Sequence, residues 1–163
     1  MTPTATPAAT GGAEVAVELA DEQQDVEVDA EDLVALARYV LAQRRVPADM
    51  ELAVLLVDRD TIAGLNAEHL GKEGATDVLA FPIDEPGETP PGAPAILGDV
   101  VLCPAVAHEQ AADLGRTGPD EVRLLTVHGI LHLLGMDHAT PDDERDMFAL
   151  TDRLLAGYAQ AGR

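Results

Sequence analysis

Residues 126–138 read TVHGILHLLGMDH and contain three of the five histidines of the chain, spaced H-x-x-x-H-x-x-G-x-x-H. His128 and His132 are four residues apart, so on a helix both imidazoles leave the same side, one turn from each other. Gly135 allows a sharp turn after the helix, and His138 can then return toward the first two histidines. The stretch therefore predicts a helix that holds a metal ion with three nitrogen ligands.

Three imidazoles suit zinc, and one ion per chain is expected. Three ligands leave at least one coordination position open, which is typical of catalytic rather than structural sites. Because neutral imidazoles leave the charge of the ion uncancelled, the ion lowers the pKa of bound water toward roughly 7. A metal-bound water is thus the expected catalytic group, with no protein base assigned. Asp137 either only turns the chain or accepts the Nδ1–H of a ligand histidine from outside the coordination sphere.

Gly129 follows the first histidine of this stretch. Zinc proteases with the motif H-E-x-x-H carry at this position a glutamate that takes a proton from the zinc-bound water. Without a side chain here, hydrolysis of a peptide needs a base from elsewhere. A phosphodiester demands less, because a metal can directly stabilise the charge that develops on its oxygens. The motif therefore favours phosphodiester chemistry over proteolysis.

The chain has 163 residues, enough to bury a core as one domain. Residues 1–12 are predicted to be a disordered tail and residues 13–163 a single metal-hydrolase domain. The single cysteine, Cys103, excludes an internal disulfide, fits a reducing cytosol and is expected to be an inert buried thiol. No apolar run reaches the roughly 18 residues of a membrane span, and the first residues do not resemble a secretory signal. The expected location is the cytoplasm, without a membrane partner.

Apolar periodicity predicts four strands and five helices along the chain. Asp29 is the predicted N-cap of the first helix, and Leu33, Leu36, Val40 and Leu41 are its predicted apolar face. The predicted strands are residues 13–20, 50–58, 76–81 and 96–103, and the predicted helices are 29–46, 59–70, 104–115, 119–134 and 141–160. The proline-rich residues 82–94 are predicted to be a loop.

The segment HGILHLLGMDH resembles the signature H-G-x-L-H-L-x-G-x-D-H of the YbeY endoribonucleases. Three further segments are similar to this family in the same order: LNAEHL (65–70), TDVLAFP (76–82) and LGDVVLC (97–103). The resemblance runs from about residue 50 to residue 150. It implies an α+β fold in which a small mixed β-sheet is packed with helices, with the metal site on the His-bearing helix beside the sheet.

The same resemblance implies a zinc-dependent, single-strand-specific endoribonuclease of small-subunit ribosomal RNA 3′-end maturation and ribosome quality control. His128, His132 and His138 would be the ligands of its one zinc ion. The implied partners are ribosomal RNA and the ribosome or ribosomal proteins, with no DNA expected. Two alternatives remain: a non-catalytic, zinc-stabilised ribosome-assembly factor, and a metal-dependent hydrolase of another substrate, similar to a metalloprotease.

Thr76, Asp77 and Asp99 match recurring family positions whose roles the residues do not reveal, although a carboxylate such as Asp77 most simply caps a turn. Many family members carry R-x-K before the T-D segment, with the arginine implicated in RNA cleavage. Here Leu70 stands in place of the arginine and only Lys72 remains. A lysine meets phosphate as a point charge, without the two parallel hydrogen bonds of arginine.

Substrate binding has two candidate side chains, Lys72 and Arg123, although a solvated surface lysine is the ordinary interpretation of Lys72. The net charge of −20, from 30 acidic and 10 basic residues, argues by itself against a polyanionic partner. Distant acidic groups are nevertheless screened beyond about 8–10 Å. We therefore expect weak, salt-sensitive affinity for free RNA.

Overall fold

The computed structural model describes residues 14–90, 92–137 and 139–161. The predicted tail at residues 1–12 and the predicted ligand His138 lie outside these ranges. Within them, four strands and five helices follow one another in this order: β1 (Ala16–Asp21), α1 (Ala30–Gln43), β2 (Met50–Leu56), α2 (Arg59–Leu70), β3 (Val78–Pro82), β4 (Ala95–Leu102), α3 (Pro104–Leu114), α4 (Gly118–Leu133) and α5 (Pro141–Gln160).

The four strands form one mixed sheet in the order β1-β2-β4-β3. β1 and β4 both run parallel to β2, whereas β3 lies at the edge and runs antiparallel to β4. Helices α1 and α4 pack on one face of the sheet, α5 packs on these two helices, and together they enclose the main core. A smaller cluster on the opposite face includes Ile62 of α2 and Val101 of β4. The predicted α+β fold with a mixed sheet is confirmed.

Helix ends follow the predicted capping chemistry. Asp29 precedes α1, and its carboxylate accepts a hydrogen bond from the backbone N–H of Asp32, as its prediction as an N-cap requires. The apolar face predicted for this helix is buried, with Leu36 and Val40 fully enclosed. Three further helices begin in the same way, with a side chain that accepts from the backbone N–H three residues on: Asp58, Thr117 and Thr140.

A β-bulge interrupts the pairing of β2 with β4. Glu51 is opposite Ile96 but Leu52 is opposite Gly98, so Leu97 is the extra residue. Gly98 has a φ of +153°, and a Cβ there would lie 2.5 Å from the carbonyl oxygen of Phe81. The bulge therefore requires glycine at a point where β3 and β4 approach closely.

The third strand begins later than predicted. Thr76 and Asp77 were expected in the strand, but β3 begins at Val78. The carboxylate of Asp77 accepts a hydrogen bond from the N–H of Val78 at 2.7 Å, and its carbonyl oxygen accepts one from Cys103 at 3.0 Å. Asp77 thus ends a turn before the strand, the simpler of the roles considered for it.

Cys103 is fully buried where β4 meets α3. Within the described ranges, no helix is both long and apolar enough to span a lipid bilayer.

Candidate active site

Helix α4 carries two of the three predicted metal ligands, and its ends are well defined. Thr117 caps the beginning through the N–H of Asp120 at 3.1 Å. At the other end, Gly135 adopts a φ of +95°, and its N–H donates to the carbonyl oxygen of His132 at 3.0 Å. A second bond runs from the N–H of Met136 to the carbonyl oxygen of Leu131 at 3.0 Å, completing a Schellman motif. The chain therefore turns sharply just after His132, as the glycine predicted.

His128 and His132 lie one turn apart near the end of α4, and both side chains are half-buried. The ring of His128 contacts the ring of Phe148 in α5, with centroids 5.0 Å apart and planes tilted by 58°. His132 occupies the last turn of the helix, where the negative end of the helix dipole favours a cation. Both imidazoles are held on a capped, packed element and are partly exposed, although Nε2 of His128 is itself buried.

The chemistry of these two donors fits two of the three positions of a zinc site. No group of three or more His, Cys, Asp or Glu side chains among residues 14–90, 92–137 and 139–161 is placed to hold a metal ion. His138 is outside those ranges, so the three-histidine set remains a prediction. Asp137, the residue suggested to orient a ligand, is exposed two positions after Gly135.

Gly129 faces the sheet. A Cβ on this residue would lie 2.6 Å from Cγ1 of Val100 in β4 and 3.3 Å from Cγ2 of Val78 in β3. Such separations are below van der Waals contact for Val100, so position 129 allows α4 to lie directly on the sheet. The residue that follows the first histidine therefore serves packing, and the Cβ of a glutamate there would clash with Val100.

Asp99 does not join this site. It is paired with Phe81 of β3, which packs with the smaller cluster beside α2. The next residue, Val100, faces α4. Since side chains alternate along a strand, Asp99 projects from the opposite face of the sheet.

Lys72 lies exposed in the segment between α2 and β3. Asn66, buried in α2, holds this segment: its side-chain N–H2 donates to the carbonyl oxygen of Gly74 at 3.0 Å, and its backbone carbonyl oxygen accepts from the N–H of Lys72 at 3.3 Å. The segment then leads into Val78, which packs beside Gly129. Sequence reasoning missed Asn66, although an amide on an otherwise apolar side of a short helix is a signal for such a role.

Arg123, the second substrate-binding candidate, is held by carboxylates near the start of α4. Its guanidinium donates to Asp32 and to Asp120, each at 2.8 Å, and Asp32 also accepts from the hydroxyl of Tyr158 at 2.8 Å. Partial burial acts to lower the pKa of Arg123. The hydrogen bond and charge of Asp32, together with the charge of Asp120, outweigh this effect and hold the pKa above its usual value. This network joins α1, α4 and α5. It engages the guanidinium of Arg123, the group predicted to contact phosphate.

Two cavities, of about 650 and 500 Å³, lie at this same end of α4. Both are lined by Arg123, and the larger also by Asp32 and His108. They are therefore associated with the α1–α4–α5 network and not with the histidine end of the helix.

Comparisons with known proteins identify the family of this chain. The family model described as Endoribonuclease YbeY matches residues 18–159. A protein named endoribonuclease YbeY from Salinispora tropica is 52% identical over 140 residues, which cover 81% of this chain and 89% of the relative. One of the same name from Thermobifida fusca is 50% identical over 141 residues, covering 83% and 90%.

The fold is also that of a solved structure. The solution structure of a protein from Thermotoga maritima superimposes with a TM-score of 0.57 at 22% identity, over 90% of this chain and 93% of that one. At this identity the similarity concerns the fold alone. The family model and the curated relatives carry the assignment: this chain belongs to the YbeY endoribonuclease family.

Proposed function

We propose that this protein is a zinc-dependent endoribonuclease that cleaves single-stranded RNA in small-subunit ribosomal RNA 3′-end maturation and in ribosome quality control. The observation that carries the proposal is the end of α4, where two half-buried imidazoles lie one turn apart and Gly129 faces the sheet. The name shared by the relatives, endoribonuclease YbeY, supports RNA as the substrate. Ribosomal RNA and the ribosome or ribosomal proteins are the proposed partners.

Zinc is the proposed cofactor, one ion per chain, held by His128, His132 and His138. When bound, the ion would act as a Lewis acid toward the phosphoryl oxygens of RNA. The protein would hold the site open on one side, because both imidazoles come from a single helix flank. Asp137 is proposed to fix the orientation of a ligand histidine.

Lys72 is the better of the two candidates for contact with phosphate. Its side chain is exposed on a segment that Asn66 anchors, and that segment leads into the strand beneath Gly129. The guanidinium of Arg123 is instead engaged by two carboxylates. We expect Lys72 to act as a point charge that attracts the RNA backbone.

The test uses the purified protein and a His128→Ala variant, with and without a chelator, on ribosomes, precursor RNA and matched single-stranded and duplex oligonucleotides. His69→Ala is the matched control, because this histidine lies on α2 with a side chain that is 48% exposed. We expect cleavage of single strands by the unmodified protein and by His69→Ala, and loss of at least about 100-fold for His128→Ala or with chelator, as for removal of an essential catalytic group.

Equal cleavage by the unmodified protein and His128→Ala would indicate a contaminating nuclease and would overturn the proposal. Binding to ribosomes without cleavage of any RNA would favour the zinc-stabilised assembly factor instead. Elemental analysis of the same preparations, with activity after reconstitution, measures the zinc directly.

A further inference from the structure

Phe148 is a large apolar side chain that is 44% exposed beside the candidate active site. Its ring centroid is 5.0 Å from that of His128. The residue lies in α5, whose buried stripe is formed by Met147, Thr151, Leu154 and Tyr158. Phe148 is outside this stripe, so the packing of α5 on the core does not account for an aromatic residue here.

The other aromatic side chains of the chain are occupied elsewhere. The sequence contains two Phe and two Tyr residues and no Trp. Tyr39 and Tyr158 pack against each other with centroids 5.7 Å apart, and Phe81 packs on His69 across the sheet from α4. Phe148 is thus the aromatic ring that adjoins the predicted metal ligands.

A protein of this charge has little electrostatic attraction for RNA. With a net charge of −20, contacts to phosphate contribute less than in ordinary RNA-binding proteins. Stacking of a base on an aromatic ring does not depend on the charge of the protein, and it is tolerant of sequence because every base has a flat apolar face. Single strands are recognised in this way, since their bases are free to leave the stack.

We propose that Phe148 stacks against a nucleobase next to the scissile phosphate and so positions single-stranded RNA over the histidines. This inference rests on the proposed endoribonuclease function. It adds a binding residue for that substrate and a physical reason for preferring single strands, because the bases of a duplex are not available to stack. The ring contact with His128 places the stacked base beside the group that would hold the metal.

The test compares Phe148→Leu, which keeps apolar contact with His128 but has no aromatic face, with Phe148→Trp, which enlarges the face. RNA oligonucleotides carry either all their bases or one abasic ribose, moved along the strand around the cleaved position. We expect Phe148→Leu to raise KM on intact RNA by about 5- to 150-fold, the equivalent of about 1–3 kcal/mol for one stacked base, and to alter kcat little. Phe148→Trp keeps an aromatic face and should therefore leave KM close to that of the unmodified protein.

The abasic strands distinguish two roles of Phe148: stacking on a base of the RNA, and packing that holds the ring of His128 in place. In the unmodified protein, removal of the stacked base should cost as much as Phe148→Leu, and the two changes together should cost no more than either alone. Leu114→Ala, at a 58% exposed apolar residue of α3, is the control for loss of surface apolar area and should leave KM unchanged. Thermal unfolding of each variant checks that the fold is retained.

A binding measurement makes the inference independent of cleavage. RNA with a single 2-aminopurine should be quenched on binding the unmodified protein and Phe148→Trp, but not Phe148→Leu. Equal quenching by all three, or an abasic penalty that is the same in the unmodified protein and Phe148→Leu, would overturn the inference. Failure of the unmodified protein to cleave any RNA would instead count against the proposed function, while the quenching result would still decide the role of Phe148.

Discussion

At the scale of single residues, two glycines are explained by close approach of chain segments. Gly98 allows β3 and β4 to meet at the bulge, and Gly129 allows α4 to lie on Val100. Glycine inside a helix costs about 1 kcal/mol relative to alanine, so Gly129 lowers the intrinsic stability of α4. Its packing against the sheet offsets this cost. The absence of the protease glutamate therefore accompanies the close packing of α4 on Val100 of the sheet.

We expect Gly129→Ala to destabilise the protein in spite of the better helix propensity of alanine. The new Cβ would meet Cγ1 of Val100 at 2.6 Å, and a β-branched side chain has little freedom to move aside. Overpacking of this kind costs about 1–3 kcal/mol, and the gain of about 1 kcal/mol in helix propensity offsets part of it, so the net loss should be up to about 2 kcal/mol, or up to roughly 8 °C in Tm. Calorimetry or circular dichroism measures the change.

Val100→Ala provides the matched background, since it removes the atom that would clash. The cost of Gly129→Ala should be smaller in that background than in the unmodified protein. A rise in Tm on introducing alanine into the unmodified protein would show that the helix is not held against the strand as described.

At the scale of elements, local capping determines where the helices begin and end. Asp58 accepts a hydrogen bond from the N–H of Thr61 at 2.8 Å and so begins α2. Hydrogen bonds from Thr61 lower the pKa of the Asp58 carboxyl below its usual value. At the far end of the same helix, Gly71 in the left-handed region ends α2 before the segment that carries Lys72. The two ends of α2 therefore fix where the segment that carries Lys72 begins.

The cap at Asp58 predicts a dependence of stability on pH. A carboxyl whose pKa is lower in the folded state contributes stability above its unfolded pKa, near 3.8, and loses it as the pH falls through the folded value. Asp58→Asn keeps an acceptor at all pH values. We therefore expect the Tm of the unmodified protein to fall relative to that of Asp58→Asn as the pH is lowered below about 4.

Asp60→Asn, in the first turn of the same helix, removes an equal charge without removing the bond to Thr61 and is the control. Thermal unfolding between pH 7 and pH 3 compares the three proteins. A constant difference in Tm between the unmodified protein and Asp58→Asn over this range would contradict the coupling of the cap to pH.

At the scale of the whole molecule, the distribution of charge decides how RNA can approach. The net charge is −20, and of the basic groups near the ends of α4, Arg123 and Arg116 are paired with carboxylates. Leu70 is 51% exposed at the position where the family resemblance leads one to expect arginine. Affinity for RNA must therefore depend on local groups near the site and not on the overall field.

Leu70→Arg should raise affinity for single-stranded RNA by about two- to fivefold, since an exposed ion pair contributes up to about 1 kcal/mol. It should also steepen the dependence of binding on salt, by about 0.7 in the logarithmic slope for one further phosphate contact. Fluorescence anisotropy at several salt concentrations measures both quantities.

Leu114→Arg changes the net charge equally at an exposed position of α3 and should alter binding little. If both arginines raised affinity to the same extent, net charge rather than local contact would govern binding, and the placement of the RNA beside Lys72 would be wrong.

Sequence alone was sufficient for the order and approximate bounds of the strands and helices, the cap at Asp29 and the turn at Gly135. Each of these depends on residues a few positions apart, so periodicity and capping patterns reveal them. The spacing of His128 and His132 also follows from one helical turn. The family motif added the expected fold, which the sheet order and the comparisons confirm.

Tertiary structure alone decided the faces and partners of the side chains. The bulge at Leu97 directs Asp99 away from α4 and Val100 toward it. The alternation of apolar and polar residues in the sequence does not reveal such an inserted residue. Arg123 binds Asp32, 91 positions away in sequence, a pairing that no local pattern reveals. The contact of Phe148 with His128 likewise exists only after α5 docks on α4. Local patterns determine where a helix begins and ends, but the packing of distant segments determines what its side chains meet.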